Sequence, residues 1–193
     1  MPISALLSSM LGRISIVLND CQWREIYKTY RKRYEIDPSF SFNGQGIIFY
    51  GGGKIFCGPR SYIGRHSSIQ AYDGFHVYIG QGVSISHHVK IYTSNKIADS
   101  DYSLSRESAS SGNVAIGDYC WIGSQVFIKE NIRIGENTAI GANSVVTKNI
   151  PPHCIAAGNP ARIIKIKSYV SPEEKREILK RLESQKEEYA AWK

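Results

Sequence analysis

Hydrophobic residues in the middle of this chain recur every six positions. Ile116, Ile122, Ile128, Ile134, Ile140 and Val146 keep that spacing without a slip, and glycine follows four of them, at 117, 123, 135 and 141. The rule continues upstream in two more runs, Cys57, Ile63, Ile69 and Ile79, Ile85, Ile91. Two residues before each of these anchors stands a small or β-branched residue. These are Ile55, Ser61, Ser67, Val77, Val83, Val89, Val114, Cys120, Val126, Ile132, Thr138 and Ser144. A helix repeats at 3.6 residues and a strand at two, so a period of six fits short strands. Alternation turns the anchor and the residue two before it inward. The regular glycine predicts a bend at fixed intervals, because glycine accepts backbone angles that other residues resist. Three strand-and-bend units make a triangular coil, and stacked coils make a parallel β-helix. The twelve hexads predict four coils, with residues 40–54 as an irregular first one.

The pattern breaks twice. Residues 72–75 are a small insertion, and residues 93–113, TSNKIADSDYSLSRESASSGN, are a large one, polar and serine-rich. Insertions into a solenoid leave it as outward loops and often line the binding face. Before the repeats, Ile3, Leu6, Leu7, Met10, Leu11, Ile14, Val17 and Leu18 recur at helical spacing. Asn19 or Asp20 is expected to cap a second helix, on which Trp23, Ile26, Tyr27, Tyr30 and Tyr34 form a stripe among five cations. These N-terminal helices either pack on the main body or touch an anionic membrane surface. After the repeats, Ser171-Pro172-Glu173-Glu174 predicts a capping box and a charged C-terminal α-helix to about Trp192. Ile178, Leu179, Leu182 and Tyr189 form its narrow apolar side. The expected organisation is a helical segment over 1–36, a mainly β domain over 40–166 with an external loop at 93–113, and a helix over 171–193.

Composition adds limits. A chain of 193 residues holds one domain with a small appendage, and no apolar run is long enough to span a bilayer. The net charge of +7 favours an anionic partner. No recognition element for a groove or a stacked base is evident, so a phosphate-bearing co-substrate fits better than nucleic acid. The four cysteines are scattered, which points to reduced, buried thiols in a cytoplasm and not to a disulfide framework or a zinc cluster. Residues 3–11 are apolar but follow no basic region, which argues against a signal peptide.

The hexads, the loop and above all IGANSVVTKNIPPHCIAAGNPARIIK, residues 140–165, resemble the hexapeptide-repeat acyltransferases. The nearest types are the sugar O- and N-acetyltransferases of the galactoside, maltose and xenobiotic kind. The resemblance covers residues 55–166. It implies a left-handed β-helix, a homotrimer with clefts between the prisms, and acetyl-CoA as co-substrate with no metal. The matching positions for holding that co-substrate are Gly123, Ser124, Gly141, Ala142, Thr147, Lys148, Arg162 and Lys165. For Lys165 a solvated charged face is the competing reading.

Acetyl transfer needs a base near neutral pH, and imidazole suits that task. His87 and His88 sit at a coil corner in VSISHHVKIY; their side chains should diverge, and His87 is the first choice. Maltose-type members carry their catalytic histidine slightly later, where this chain reads YTSNKI. Asn95 stands there and is expected to orient the acceptor or the histidine. Trp121 is either a subunit contact or a pocket wall on which a sugar ring stacks. The expected function is acetyl transfer to a sugar hydroxyl in surface glycan synthesis. N-transfer to an amino or nucleotide sugar is the alternative. A metal lyase of the γ-carbonic-anhydrase kind, using His66, His87 and His88, and a non-catalytic assembly protein are readings of other classes.

Overall fold

The computed structural model describes residues 3–104 and 108–190. The side chains of Ile3, Leu6, Leu7 and Tyr189, and the whole of Trp192, lie outside the described residues.

Strands stack in three sheets, one for each face of a prism. The first face runs Glu35–Ile36, Lys54–Cys57, His76–Ile79, Val114–Ile116 and Ile132–Ile134. The second runs Ser41–Asn43, Tyr62–Gly64, Ser84–Ile85, Trp121–Ile122, Ala139–Ile140 and Cys154–Gly158. The third runs Ile48–Tyr50, Ser68–Gln70, Lys90–Tyr92, Phe127–Ile128 and Val145–Val146. In chain order the strands visit the faces in rotation, and neighbours within these stacks are parallel. The result is a parallel β-helix. Five strands on the first and third faces mean five coils, the irregular first one opening at Glu35.

Register puts anchor over anchor. Ile85 lies between Ile63 and Ile122, and Val114 between Val77 and Ile132. Every anchor and every residue two before it, all twenty-four, is at most 4 % exposed. A fully buried aliphatic side chain contributes about 1.5–3 kcal/mol, so these columns are the main cohesive element. Where the inward residue is a hydroxyl, the corner backbone satisfies it. Ser61 Oγ donates to Gly80 O at 2.7 Å and accepts from Val83 N at 2.9 Å. Thr138 Oγ1 donates to Pro151 O at 2.9 Å, and Ser144 Oγ to Gly141 O at 2.7 Å. Cys57, Cys120 and Cys154 are buried; burial raises all three thiols, the last two to about 11, which fits packing and not reactivity.

The bends work differently from the expectation. Left-handed backbone falls three residues after the anchor, at Arg60, His66, His88, Tyr119, Gln125, Asn131, Asn137, Asn143 and His153, with φ from 53° to 59°. The glycine just after the anchor has no such angle. It is there because the coils touch: a Cβ on Gly117 would lie 2.6 Å from Glu136 N, and one on Gly123 2.6 Å from Ala142 N.

A second correction concerns the N-terminus. One continuous helix, α1 (Ile3–Arg33), replaces the expected pair. Neither Asn19 nor Asp20 caps a new helix, since no proline or left-handed residue interrupts the ladder there; Asp20 instead accepts from Gln45 Nε2. The aromatic stripe is real and plugs the first coil. Tyr27 stacks on Phe42 with ring centroids 4.4 Å apart, Tyr30 stacks on Phe49 at 5.3 Å, and Tyr27 Oη donates to Gly44 O at 2.7 Å.

The other end closes with a hairpin. Cys154–Gly158 pairs antiparallel with Ala161–Ile166, so Gly158, Asn159 and Pro160 form the turn that covers the last parallel edge. The C-terminal helix, α2, spans Pro172–Ala190. Ser171 Oγ accepts from Glu174 N at 3.2 Å, which is half of the expected box. The Glu174 carboxylate reaches His153 Nε2 at 3.2 Å, and His153 Nδ1 meets Tyr169 Oη at 3.0 Å. Ile178 is buried, Leu182 half-buried and Leu179 exposed. The large loop rises as an antiparallel ribbon, Ser94–Lys96 against Ala109–Ser111, closed at its base by Gly112 N donating to Thr93 O.

Candidate active site

One prism edge gathers several of the residues singled out above. At the corner between the second and third faces, successive coils place His87, then Ser124, then Ala142 one above another. The backbone ties these layers: Gln125 N donates to His87 O at 2.9 Å and Asn143 N to Ser124 O at 2.9 Å. Gly123 and Gly141 precede Ser124 and Ala142 on the same corner. A Cβ on Gly141 would lie 2.8 Å from the Ala157 Cβ, and Ala157 pairs with Arg162 in the closing hairpin. The edge therefore leads from His87 to Arg162 without leaving the corner.

The exposed ring of His87 lies against Gly64, where a Cβ would come within 2.5 Å of His87 Nδ1. His88 occupies the left-handed position and stacks on His66, ring centroids 5.2 Å apart. It also borders a depression of about 370 Å³ with Lys90, Gln125 and Phe127. The two imidazoles thus have different surroundings. Among the described residues no group of three His, Cys, Asp or Glu side chains is placed to hold a metal ion.

A cavity of about 600 Å³ sits between the closing hairpin, residues 148–150 and α2. Lys148, Arg162 and Lys165 line it together, with Ile164, Leu179 and Leu182 as apolar wall. Nothing in the hexad pattern puts Lys148 beside Arg162; the hairpin does so by folding back over the last coil. Three cations around one apolar-walled cavity fit a ligand with phosphates and a flat or aliphatic body. Thr147 precedes Lys148 at the end of the last coil.

Two expected site residues lie elsewhere on the prism. Trp121 is 53 % exposed on the second face, where its neighbour in the coil below is Ser84 and not His87. Asn95 stands in the loop ribbon, at the corner between the third and first faces, with the strand Lys90–Tyr92 between it and His87. One chain does not bring Asn95 and His87 together.

Asn95 has a partner that hexad reading passed over. Its Nδ2 donates to Glu130 Oε2 at 2.5 Å, and Glu130 Oε1 faces the Lys129 ammonium at 2.8 Å. The Glu130 side chain is only 1 % exposed. Burial pushes its pKa upward, but hydrogen bonds from Lys129, Asn95, the backbone and Ser110 outweigh that and hold it below the ordinary value. Its position, two after the anchor Ile128, reads as an outward corner. Asn95 and Ser110 of the loop ribbon reach it, and that contact is not written in the local pattern.

A parallel β-helix with a histidine-bearing edge that ends at a cationic cavity is the architecture of a solenoid transferase. Residues 113–148 match the family described as bacterial transferase hexapeptide (six repeats). Among curated proteins none matches the sequence significantly. Solved structures do. A hexapeptide-repeat acetyltransferase of Vibrio cholerae O1 biovar eltor, complexed with acetyl-coenzyme A, shares 26 % identity over 85 % of this chain and 89 % of its own, with a TM-score of 0.62. A maltose O-acetyltransferase of Clostridium difficile 630 shares 25 % over 83 % and 86 %, with a TM-score of 0.50. The N-acyltransferase AntD of Bacillus cereus, complexed with dTDP and coenzyme A, shares the fold at 22 % identity over 77 % and 89 %, with a TM-score of 0.56. The chain thus carries hexapeptide repeats and is similar to the acyltransferases built on them.

Proposed function

We propose that this protein moves an acetyl group from acetyl-coenzyme A to a sugar hydroxyl, as in surface glycan synthesis, with His87 as general base. The observation that carries the reading is the single edge on which His87, Ser124 and Ala142 follow layer on layer toward Arg162. Small residues along that edge leave room for a narrow pantetheine arm, and Lys148, Arg162 and Lys165 supply cations for its phosphates. The donor supplies the activated acetyl carbon. The His87 imidazole takes the hydroxyl proton as the acceptor oxygen attacks the thioester carbonyl, and returns it to the departing thiolate. The 26 % identical acetyltransferase complexed with acetyl-coenzyme A supports this choice of donor.

The edge is open to solvent in one chain, and Trp121 and Asn95 lie away from it. We therefore place the complete site between copies in a homotrimer, where the second face or loop ribbon of one copy faces the His87 edge of the next. Asn95 and Glu130 favour one second reading, N-transfer to an amino sugar. An amide clamped by a carboxylate stands where a base is expected, and a neutral amine attacks a thioester without one.

Coenzyme A release is to be followed by thiol titration with a panel of sugars and amino sugars. The His87→Ala protein should lose about 10²–10⁴ in kcat. Unchanged turnover removes His87 from the mechanism, and a larger loss in His88→Ala moves the role there. Treatment of the product with hydroxylamine separates the two acceptors, because it cleaves an acetyl ester and leaves an amide intact.

A further inference from the structure

We infer that the N-terminal half of α1 binds the surface of an anionic membrane. The inference stands independently of the acetyl-transfer reading. It rests on how the two halves of one helix face. From Trp23 onward, Trp23, Ile26, Tyr27 and Tyr30 turn toward the first coil and pack on it. Before that point, Met10, Leu11, Ile14, Ile16, Val17 and Leu18 are exposed although all are apolar. At about 100° per residue, all of these but Ile16 form one stripe roughly half a turn from the docked set. The apolar stripe thus looks directly away from the body that the same helix plugs, and no segment of this chain packs on it among the described residues.

Charge completes the surface. Further along α1, Arg24, Lys28 and Lys32 lie on or beside the same side of the helix as the stripe. The acidic residue on that side is Glu25, which pairs with Lys28 at 2.7 Å; Asp20 lies toward the docked side, where Gln45 engages it. Net positive charge beside an apolar stripe is the pattern of a helix that lies in the headgroup layer. Among the described residues no helix is long and apolar enough to cross a membrane, so the contact is with the surface. A second copy of the chain is a poorer occupant. Parallel pairing along this stripe would set Arg24, Lys28 and Lys32 against their own images, and like charges at a helical seam repel.

The test uses the full chain and sedimentation with vesicles of phosphatidylcholine, with and without phosphatidylserine. The wild type should sediment with the anionic vesicles, more weakly as salt is raised. Leu11→Glu/Ile14→Glu should weaken that partitioning at least ~10-fold, because two buried aliphatic contacts are lost. Arg24→Glu/Lys28→Glu should abolish the preference for phosphatidylserine. All four positions are exposed, so circular dichroism and coenzyme A release should stay as in the wild type. Absence of binding by the wild type overturns the inference. So does equal binding by Leu11→Glu/Ile14→Glu, and so does a change in oligomeric mass in that variant by light scattering, which would assign the stripe to a second copy.

Discussion

At the position after each anchor the coils approach too closely for a side chain. On Gly117 the atoms that a Cβ would meet are all backbone: Glu136 N at 2.6 Å, Glu136 Cα at 2.9 Å and Gly135 C at 3.0 Å. Backbone held in a ladder cannot step aside as a flexible side chain can. Gly117→Ala should therefore cost about 1–3 kcal/mol, seen as a lower urea midpoint with an unchanged slope. The left-handed corner obeys a different rule. Asn143 is exposed with φ 58°, so its energy there is mostly conformational. Asn143→Ala should cost about 1 kcal/mol in the same titration, whereas Asn143→Gly should not destabilise by more than a few tenths. The two positions explain each other. Glycine marks where chains touch, and asparagine or histidine marks where the chain turns.

The loop ribbon is held at its foot by a buried ionised carboxylate. Glu130 gathers Asn95 from the ribbon and Lys129 from its own strand end, so the ribbon depends on that charge. Its folded pKa lies below the ordinary 4.5, so its ionised form stabilises the native state. That contribution is complete above the unfolded carboxylate range and is lost as pH falls through the folded value. As pH falls below the ordinary carboxylate range the wild type should lose this increment, and Glu130→Gln should show a flatter stability profile over the same range. Glu130→Ala should cost about 1–3 kcal/mol at neutral pH, because Asn95 and Lys129 lose a buried partner. A stability–pH curve for Glu130→Gln that parallels the wild type would deny the carboxylate this role. At the same scale, α1 shows why a sequence pattern stops short. Its two stripes are each legible as helical spacing, and Asn19 and Asp20 suggest a break between them. The ladder continues because both stripes fit one straight helix when they serve opposite sides.

At the scale of the molecule, the prism has a plugged end, a hairpin-covered end and three long faces. The second face exposes Trp121, and the ribbon tip exposes Tyr102 and Leu104, the last at 84 %. The homotrimer proposed above would cover these large apolar side chains. In the trimer we propose, sedimentation equilibrium should give about three times the 21.6 kDa chain mass. Trp121→Asp or Leu104→Asp should lower that mass without disturbing the far-ultraviolet spectrum. Monomeric wild-type protein with full acetyl transfer would place the site within a single prism instead.

From residues in a row came the period, the identity of each inward side chain, the outward excursion at 93–113 and the start of α2 just after Ser171. These are local properties, because strand alternation and helix capping are settled within a few residues. What faced what was decided only by the tertiary structure. It buried Glu130 beneath the ribbon, folded a hairpin back to bring Arg162 and Lys165 beside Lys148, parted Asn95 from His87, and turned half of α1 away from the prism. Each of those outcomes joins residues far apart in the chain, and a periodic pattern carries no record of which distant surface covers it.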